Sequence, residues 1–153
     1  MTETFCLETF HVFPVPARKV WALLADFAAI QQWWPRGGAI EIERVVVEGE
    51  GVGMVRHIHN RGMRRAISER LDFIDDANMI LRLSHVGSEP PNLPFYQATG
   101  QLSDLSGDRS RFTYRSELRV ARGAENVSRD HLLAAYASMF KGLQAAASLP
   151  AGD

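Results

Sequence analysis

From residue 39 onward the chain reads as six strand-like segments with mostly alternating polarity, over residues 39–48, 52–59, 63–74, 79–86, 95–105 and 111–121. Four of the five connections are turns of a few residues, such as Gly49-Glu50-Gly51 and Asn60-Arg61-Gly62. Strands joined this tightly run antiparallel, because a parallel neighbour needs a crossover of a dozen or more residues. The fifth connection, residues 87–94, is a proline-rich loop. Ahead of the meander, residues 5–13 read as a first strand broken by Pro14-Val15-Pro16. Residues 17–25 then form a short helix with Val20, Leu23 and Leu24 on one side, and Asp26 is placed to cap a second short helix through Gln32. Ser128 is placed to cap a long helix over residues 129–148, about 30 Å at 1.5 Å per residue. Such a helix is long enough to cross a bent sheet. The alternation slips at Arg44-Val45, where a β-bulge is expected.

A chain of 153 residues with 46% hydrophobic content supports one domain, residues 1–153, with a sizeable core. The net charge of −1 excludes the broad basic field of a nucleic-acid binder. The adjacent basic pairs Arg18-Lys19 and Arg64-Arg65 read as solvated surface. The single cysteine, Cys6, allows no internal disulfide. Its place in an apolar strand reads as buried and inert. With no signal pattern and no apolar run of membrane-spanning length, the chain reads as soluble and cytoplasmic.

Strand parity sorts the side chains, since alternate residues share a face. Met54, Arg56 and Ile58 form one inward set, and Ile67, Glu69, Leu71 and Phe73 the next. Arg56 and Glu69 therefore meet across a hairpin, either as a fixed internal bridge or as ligand contacts, because an unpaired buried charge costs several kcal/mol. Leu81, Leu83 and His85 follow, with His85 near the mouth. Phe112, Tyr114, Ser116, Leu118 and Val120 point inward on the last strand, whereas His57 and His59 point outward. On the long helix, Leu132, Leu133, Tyr136, Met139, Phe140 and Leu143 make the core stripe. The small residues Ala134, Ala135, Ser138 and Gly142 either leave room for a ligand or let the helix approach the sheet. One of Trp33 and Trp34 covers a cavity and the other packs in the hull. No spacing of histidines and carboxylates suits a metal, and no cofactor is expected.

Val20-Trp21…Asp26-Phe27…Trp33, then Gly51-Val52-Gly53…Arg56, then Glu69-Arg70-Leu71 stand in an order that resembles the START-like, birch-pollen-allergen-like (SRPBCC) superfamily. Its bacterial members are often labelled polyketide cyclase/dehydrase, and the plant abscisic-acid receptors share the order. The resemblance spans residues 5–149. It implies an α+β helix-grip fold: a curved seven-stranded antiparallel sheet, two short helices after the first strand, and a long C-terminal helix over a cavity. In the receptors an acidic residue matching Glu69 and an aromatic hydroxyl matching Tyr96 lie in the cavity, and matching aromatics line its entrance. Here the receptor gate reads Asn60-Arg61-Gly62-Met63-Arg64 and the latch reads Glu89-Pro90-Pro91-Asn92-Leu93-Pro94. Residues 39–48 hold no lysine to receive a carboxylate. Hormone sensing is therefore not implied, although both loops are candidate gates.

Three functions follow. The first is binding or transport of a small hydrophobic ligand, whether aromatic, polyketide-like, lipid or isoprenoid. The candidate contacts are Trp33, Trp34, Met54, Arg56, Ile58, Ile67, Glu69 and Leu71. Leu83, His85, Tyr96, Tyr114, Ser116, Tyr136, Met139 and Phe140 complete the set. The second is a cofactor-free cyclase, aromatase or dehydratase with Glu69, His85 and Tyr114 as catalytic candidates. The third is an interaction module with a vestigial cavity. A small hydrophobic partner is expected, with no nucleic acid and no membrane insertion. A homodimer is left open.

Overall fold

Seven strands form one curved antiparallel sheet in the computed structural model, which describes residues 1–87 and 95–150. The strands are β1 (Thr2–Phe13), β2 (Ile42–Glu48), β3 (Val55–Asn60), β4 (Ile67–Asp75), β5 (Ile80–His85), β6 (Phe95–Leu105) and β7 (Arg109–Ala121). Their spatial order is β1-β7-β6-β5-β4-β3-β2, so the meander runs from β2 to β7 and β1 adds to its far side. Helix α1 (Ala17–Ala25), a 3-10 turn (Phe27–Ala29) and α2 (Ile30–Trp33) fill the gap between β1 and β2, and α3 (Glu125–Ala147) closes the chain.

The core lies between the sheet and these helices. Strand β7 shows why: Ser110, Phe112, Tyr114, Ser116, Leu118 and Val120 are all buried, and the residues between them are not. Two glycines mark where backbones and rings come close. A Cβ on Gly142 of α3 would stand 2.2 Å from the Trp33 carbonyl oxygen, so the small residue admits the end of α2 and Pro35 rather than the sheet. A Cβ on Gly100 of β6 would stand 2.6 Å from the Phe112 ring.

Several expectations are corrected. Cys6 is exposed, because β1 turns Leu7 and Phe13 inward instead. Phe73 is 42% exposed, because a register shift between Leu71 and Phe73 resets the parity of β4. The expected slip on β2 lies between Ile42 and Arg44. Asp26 makes no side-chain cap, and a 3-10 turn takes the place of the first turn of the expected helix. Ser128 is buried inside α3 rather than capping it. The helix starts at Glu125, whose Oε1 accepts from the Gly123 N–H at 3.2 Å and whose charge suits a helix N-terminus. Leu133 is exposed and leaves the core stripe to Leu132, Tyr136, Met139, Phe140 and Leu143. Strands β2, β3 and β4 each begin three or four residues later than expected. The expected latch, residues 89–94, lies outside the described residues.

Candidate functional site

Sheet register decides which polar side chains meet. Glu69 on β4 stands opposite Arg56 on β3 and His85 on β5, so the three form a row across adjacent strands. Arg56 Nε and Nη2 both donate to Glu69 Oε1, at 2.9 and 2.8 Å. Arg56 Nη1 donates to the Phe27 carbonyl at 2.9 Å. The guanidinium carbon lies 3.8 Å from the centre of the Phe27 ring. All three guanidinium nitrogens are thus committed within the protein, as a buried charge requires. Glu69 Oε2 points the other way and lies 3.7 Å from His85 Nε2. The His85 ring stacks on Tyr96 with centres 4.4 Å apart.

Beside this row runs a chain of hydroxyls. Tyr96 Oη and Tyr136 Oη are 2.6 Å apart, Tyr136 Oη is 2.6 Å from Ser116 Oγ, and Ser116 Oγ donates to the Leu7 carbonyl at 3.4 Å. A carbonyl only accepts, so the hydrogens run in one direction, from Tyr96 through Tyr136 and Ser116 to Leu7. The oxygen of Tyr96, at the head of the chain, is left as an acceptor, with the Tyr114 hydroxyl as its other neighbour. Tyr114 packs edge-on against Tyr136 at 4.9 Å. Burial raises the pKa of all three phenols. Tyr136 is pushed up to about 12 by burial, even though the hydrogen bond it accepts from Tyr96 pulls the other way. Tyr96 and Tyr114 are raised by burial first and by the neighbouring tyrosines and Glu69 next. All three are neutral hydroxyls at physiological pH.

Arg56, Glu69, His85 and the three tyrosines line a cavity of about 400 Å³ between the sheet, α1, α2 and α3. Its mouth is marked by lining residues that also face solvent: Met63, Val127 and His131. Two polar atoms beside it are buried without a hydrogen-bond partner among the described residues, Trp33 Nε1 and Asn60 Oδ1. Each such atom costs about 1–3 kcal/mol. Trp34 differs, since its Nε1 donates to the Ile40 carbonyl at 2.9 Å.

The chain matches the family described as polyketide cyclase/dehydrase and lipid transport over residues 4–148. It belongs to that family. Among curated proteins, none matches the sequence. Among solved structures, truncated norcoclaurine synthase from Thalictrum flavum has a TM-score of 0.77 at 14% identity, covering 94% of this chain and 92% of that one. The Zhui aromatase/cyclase from Streptomyces sp. R1128 has a TM-score of 0.74 at 18% identity, covering 95% and 94%. An uncharacterised protein from Bacillus thuringiensis has a TM-score of 0.77 at 20% identity, covering 93% and 98%. At these identities the likeness shows the fold, which is that of the START-like, birch-pollen-allergen-like superfamily.

In this polyketide cyclase/dehydrase family member, most of the sequence-derived contact candidates come together. Trp33, Trp34, Arg56, Ile58, Ile67 and Glu69 line the cavity, as do Leu83, His85, Tyr96, Tyr114, Tyr136 and Met139. Both tryptophans line it, so neither is confined to the hull. Four candidates stand apart from the lining. Leu71, Ser116 and Phe140 are buried behind it, and Met54 packs half-buried against the core. Sequence reasoning missed Leu24 and Ile30 on the helices, Ile40 and Ile42 before and on β2, and Val127, Ser128 and His131 on α3, whereas Ala135, one of the small residues read as leaving room for a ligand or letting the helix approach, lines the cavity. The α3 residues follow from helical spacing through Leu132 and Tyr136. The others depend on how the α1–α2 segment lies over the sheet, and no local pattern encodes that. Among the described residues no group of histidines, cysteines and carboxylates is placed to hold a metal, and no helix is long and apolar enough to cross a membrane.

Proposed function

We propose that this protein binds one small, largely apolar molecule in its cavity, and that the molecule is uncharged and donates a hydrogen bond. The cavity carries this reading. About 400 Å³ is open where a close-packed interior leaves only scattered voids, and that volume falls in the range of small-molecule sites. The polar complement supports the second half. Arg56 is the only permanent cation among the described lining residues, and its nitrogens already serve Glu69 and Phe27. A carboxylate therefore finds no uncommitted permanent positive charge. Glu69 Oε2 and the Tyr96 oxygen are acceptors, which a hydroxyl or amine on the ligand would satisfy. Norcoclaurine synthase of the same fold has been solved with dopamine and hydroxybenzaldehyde, and aromatic molecules of that size suit this cavity.

Calorimetric titration with 2-naphthol and 2-naphthoate tests the reading. The naphthol is expected to bind at least about tenfold more tightly, a difference of 1.4 kcal/mol. Equal affinities would overturn the donor preference, and no binding across aromatic and isoprenoid probes would overturn the binding site itself.

A second reading rests on Glu69 and His85 sharing the cavity wall at 3.7 Å. A carboxylate beside an imidazole is equipped to move a proton, and Tyr114 lies close enough to sense the Glu69 charge. With Tyr114 donating to a substrate carbonyl, this set suits cyclisation or dehydration. Loss of turnover in His85→Asn with ligand affinity retained would support it.

A further inference from the structure

The sheet ends in two edges, β1 and β2. An edge strand presents unpaired backbone N–H and C=O groups, and monomeric proteins blunt such edges with charges, prolines or bulges. On β2 that protection stops early. The bulge lies between Ile42 and Arg44. Gln31 Nε2 donates to the Ile42 and Glu43 carbonyls at 3.3 and 2.9 Å. Beyond them runs Arg44-Val45-Val46-Val47-Glu48, with no proline and no charge among its three valines. Val46 is 44% and Val47 37% exposed.

We propose that this edge pairs with the same edge of a second copy, antiparallel and centred on Val46, joining two seven-stranded sheets about a two-fold axis. The charge pattern argues for that occupant. In this register Arg44 of one copy stands opposite Glu48 of the other, and the pair occurs twice. Both side chains are exposed, and Arg44 has no ion-pair partner among the described residues. Glu48 is only loosely engaged, 3.6 Å from His57 Nε2, with its side chain 73% exposed. Arg44, Val46 and Glu48 share one face with His57, while Val45 and Val47 share the other with Ile58 and Arg56. Pairing thus sets Val46 against Val46 between two opposite-charge pairs, and Val45 against Val47 on the inner face. Directly opposed pairs of these kinds stabilise a ladder, and like charges in the same places destabilise it.

The other edge does not offer this. Strand β1 carries Glu3 and Glu8 but no lysine or arginine of its own, and Glu3 is already paired with Arg122 at 3.5 Å, so two β1 edges have no opposite-charge pair to form between their strands. Pairing β1 with β2 would be head-to-tail and would leave a free edge at each end, which builds open assemblies rather than a closed dimer.

Sedimentation velocity over a concentration series, with native mass spectrometry for stoichiometry, tests the proposal. The wild-type chain is expected to form a concentration-dependent dimer. Val46→Lys sets two ammonium groups face to face and is expected to raise the dimer Kd at least about tenfold. Arg44→Glu and Glu48→Arg are each expected to weaken self-association. Mixing the two variants, or combining both changes in one chain, restores the opposite-charge pairs and is expected to restore the dimer, which also shows that the single variants fold. A chain that stays monomeric to its solubility limit would overturn the proposal. So would a dimer indifferent to Val46→Lys and to the charge swaps.

Discussion

Arg56 and Glu69 show how one contact serves both stability and the site. Their pairing removes a charge that would otherwise stand uncompensated in the interior, yet it also takes the cation out of play for a ligand. Glu69→Gln should destabilise the fold by roughly 3 kcal/mol, because the guanidinium loses its counter-charge while staying buried. Urea unfolding measures this, and replacing both residues together, as Arg56→Met with Glu69→Leu, should recover most of the loss. A Glu69→Gln protein as stable as wild type would mean that water reaches Arg56. The tyrosines set the alkaline limit. Tyr136 ionises at about 12 in the folded protein, against about 10 in an unfolded chain. Its contribution is complete below pH 10 and is lost as pH rises from 10 to 12, because the unfolded state releases its proton first. Two units correspond to about 2–3 kcal/mol. The urea midpoint should therefore fall between pH 9 and pH 11.5, less steeply in Tyr136→Phe. A flat profile would show that the phenols are hydrated.

At the scale of elements, α3 lies where a single missing side chain allows it. Gly142 faces the Trp33 carbonyl and Pro35 at distances a methyl group cannot occupy. Gly142→Ala gains about 1 kcal/mol of helix propensity, but overpacking costs about 1–3 kcal/mol, and here it presses on backbone that cannot swing away. The melting temperature should fall, and a rise would mean that α2 yields freely. Elements with unbroken alternation were the legible ones. Strand β7 keeps a period of two from Ser110 to Val120, so its inward set follows from sequence alone. Strand β4 loses that period at a bulge, which nothing in Leu71-Asp72-Phe73 announces, and Phe73 was misplaced for that reason. The start of α3 was hidden because a serine is a good cap by type, whereas Gly123 and Glu125 perform the task through backbone geometry and charge. Cys6 was misread because β1 holds apolar residues on both faces, which leaves its parity undetermined.

Across the whole molecule, a bent sheet and a helix held off it leave space that the side chains do not fill. The polar row was readable because charges on apolar strand faces have to find one another. The helix-borne half of the wall was not, because it depends on how α1 and α2 are laid across the sheet. Asn60 and Trp33 sit beside that space with unpartnered polar atoms, the kind of local cost that a protein optimised for packing alone would discard. The central claim is that ligand occupies this space, and plugging it is the direct test. Ala135 lines the cavity from α3 and is half-buried. Native mass spectrometry of wild-type and Ala135→Trp protein with 2-naphthol should show one bound molecule per chain in the first and none in the second, at similar melting temperatures. Equal occupancy of the plugged protein would place the ligand elsewhere and contradict the account.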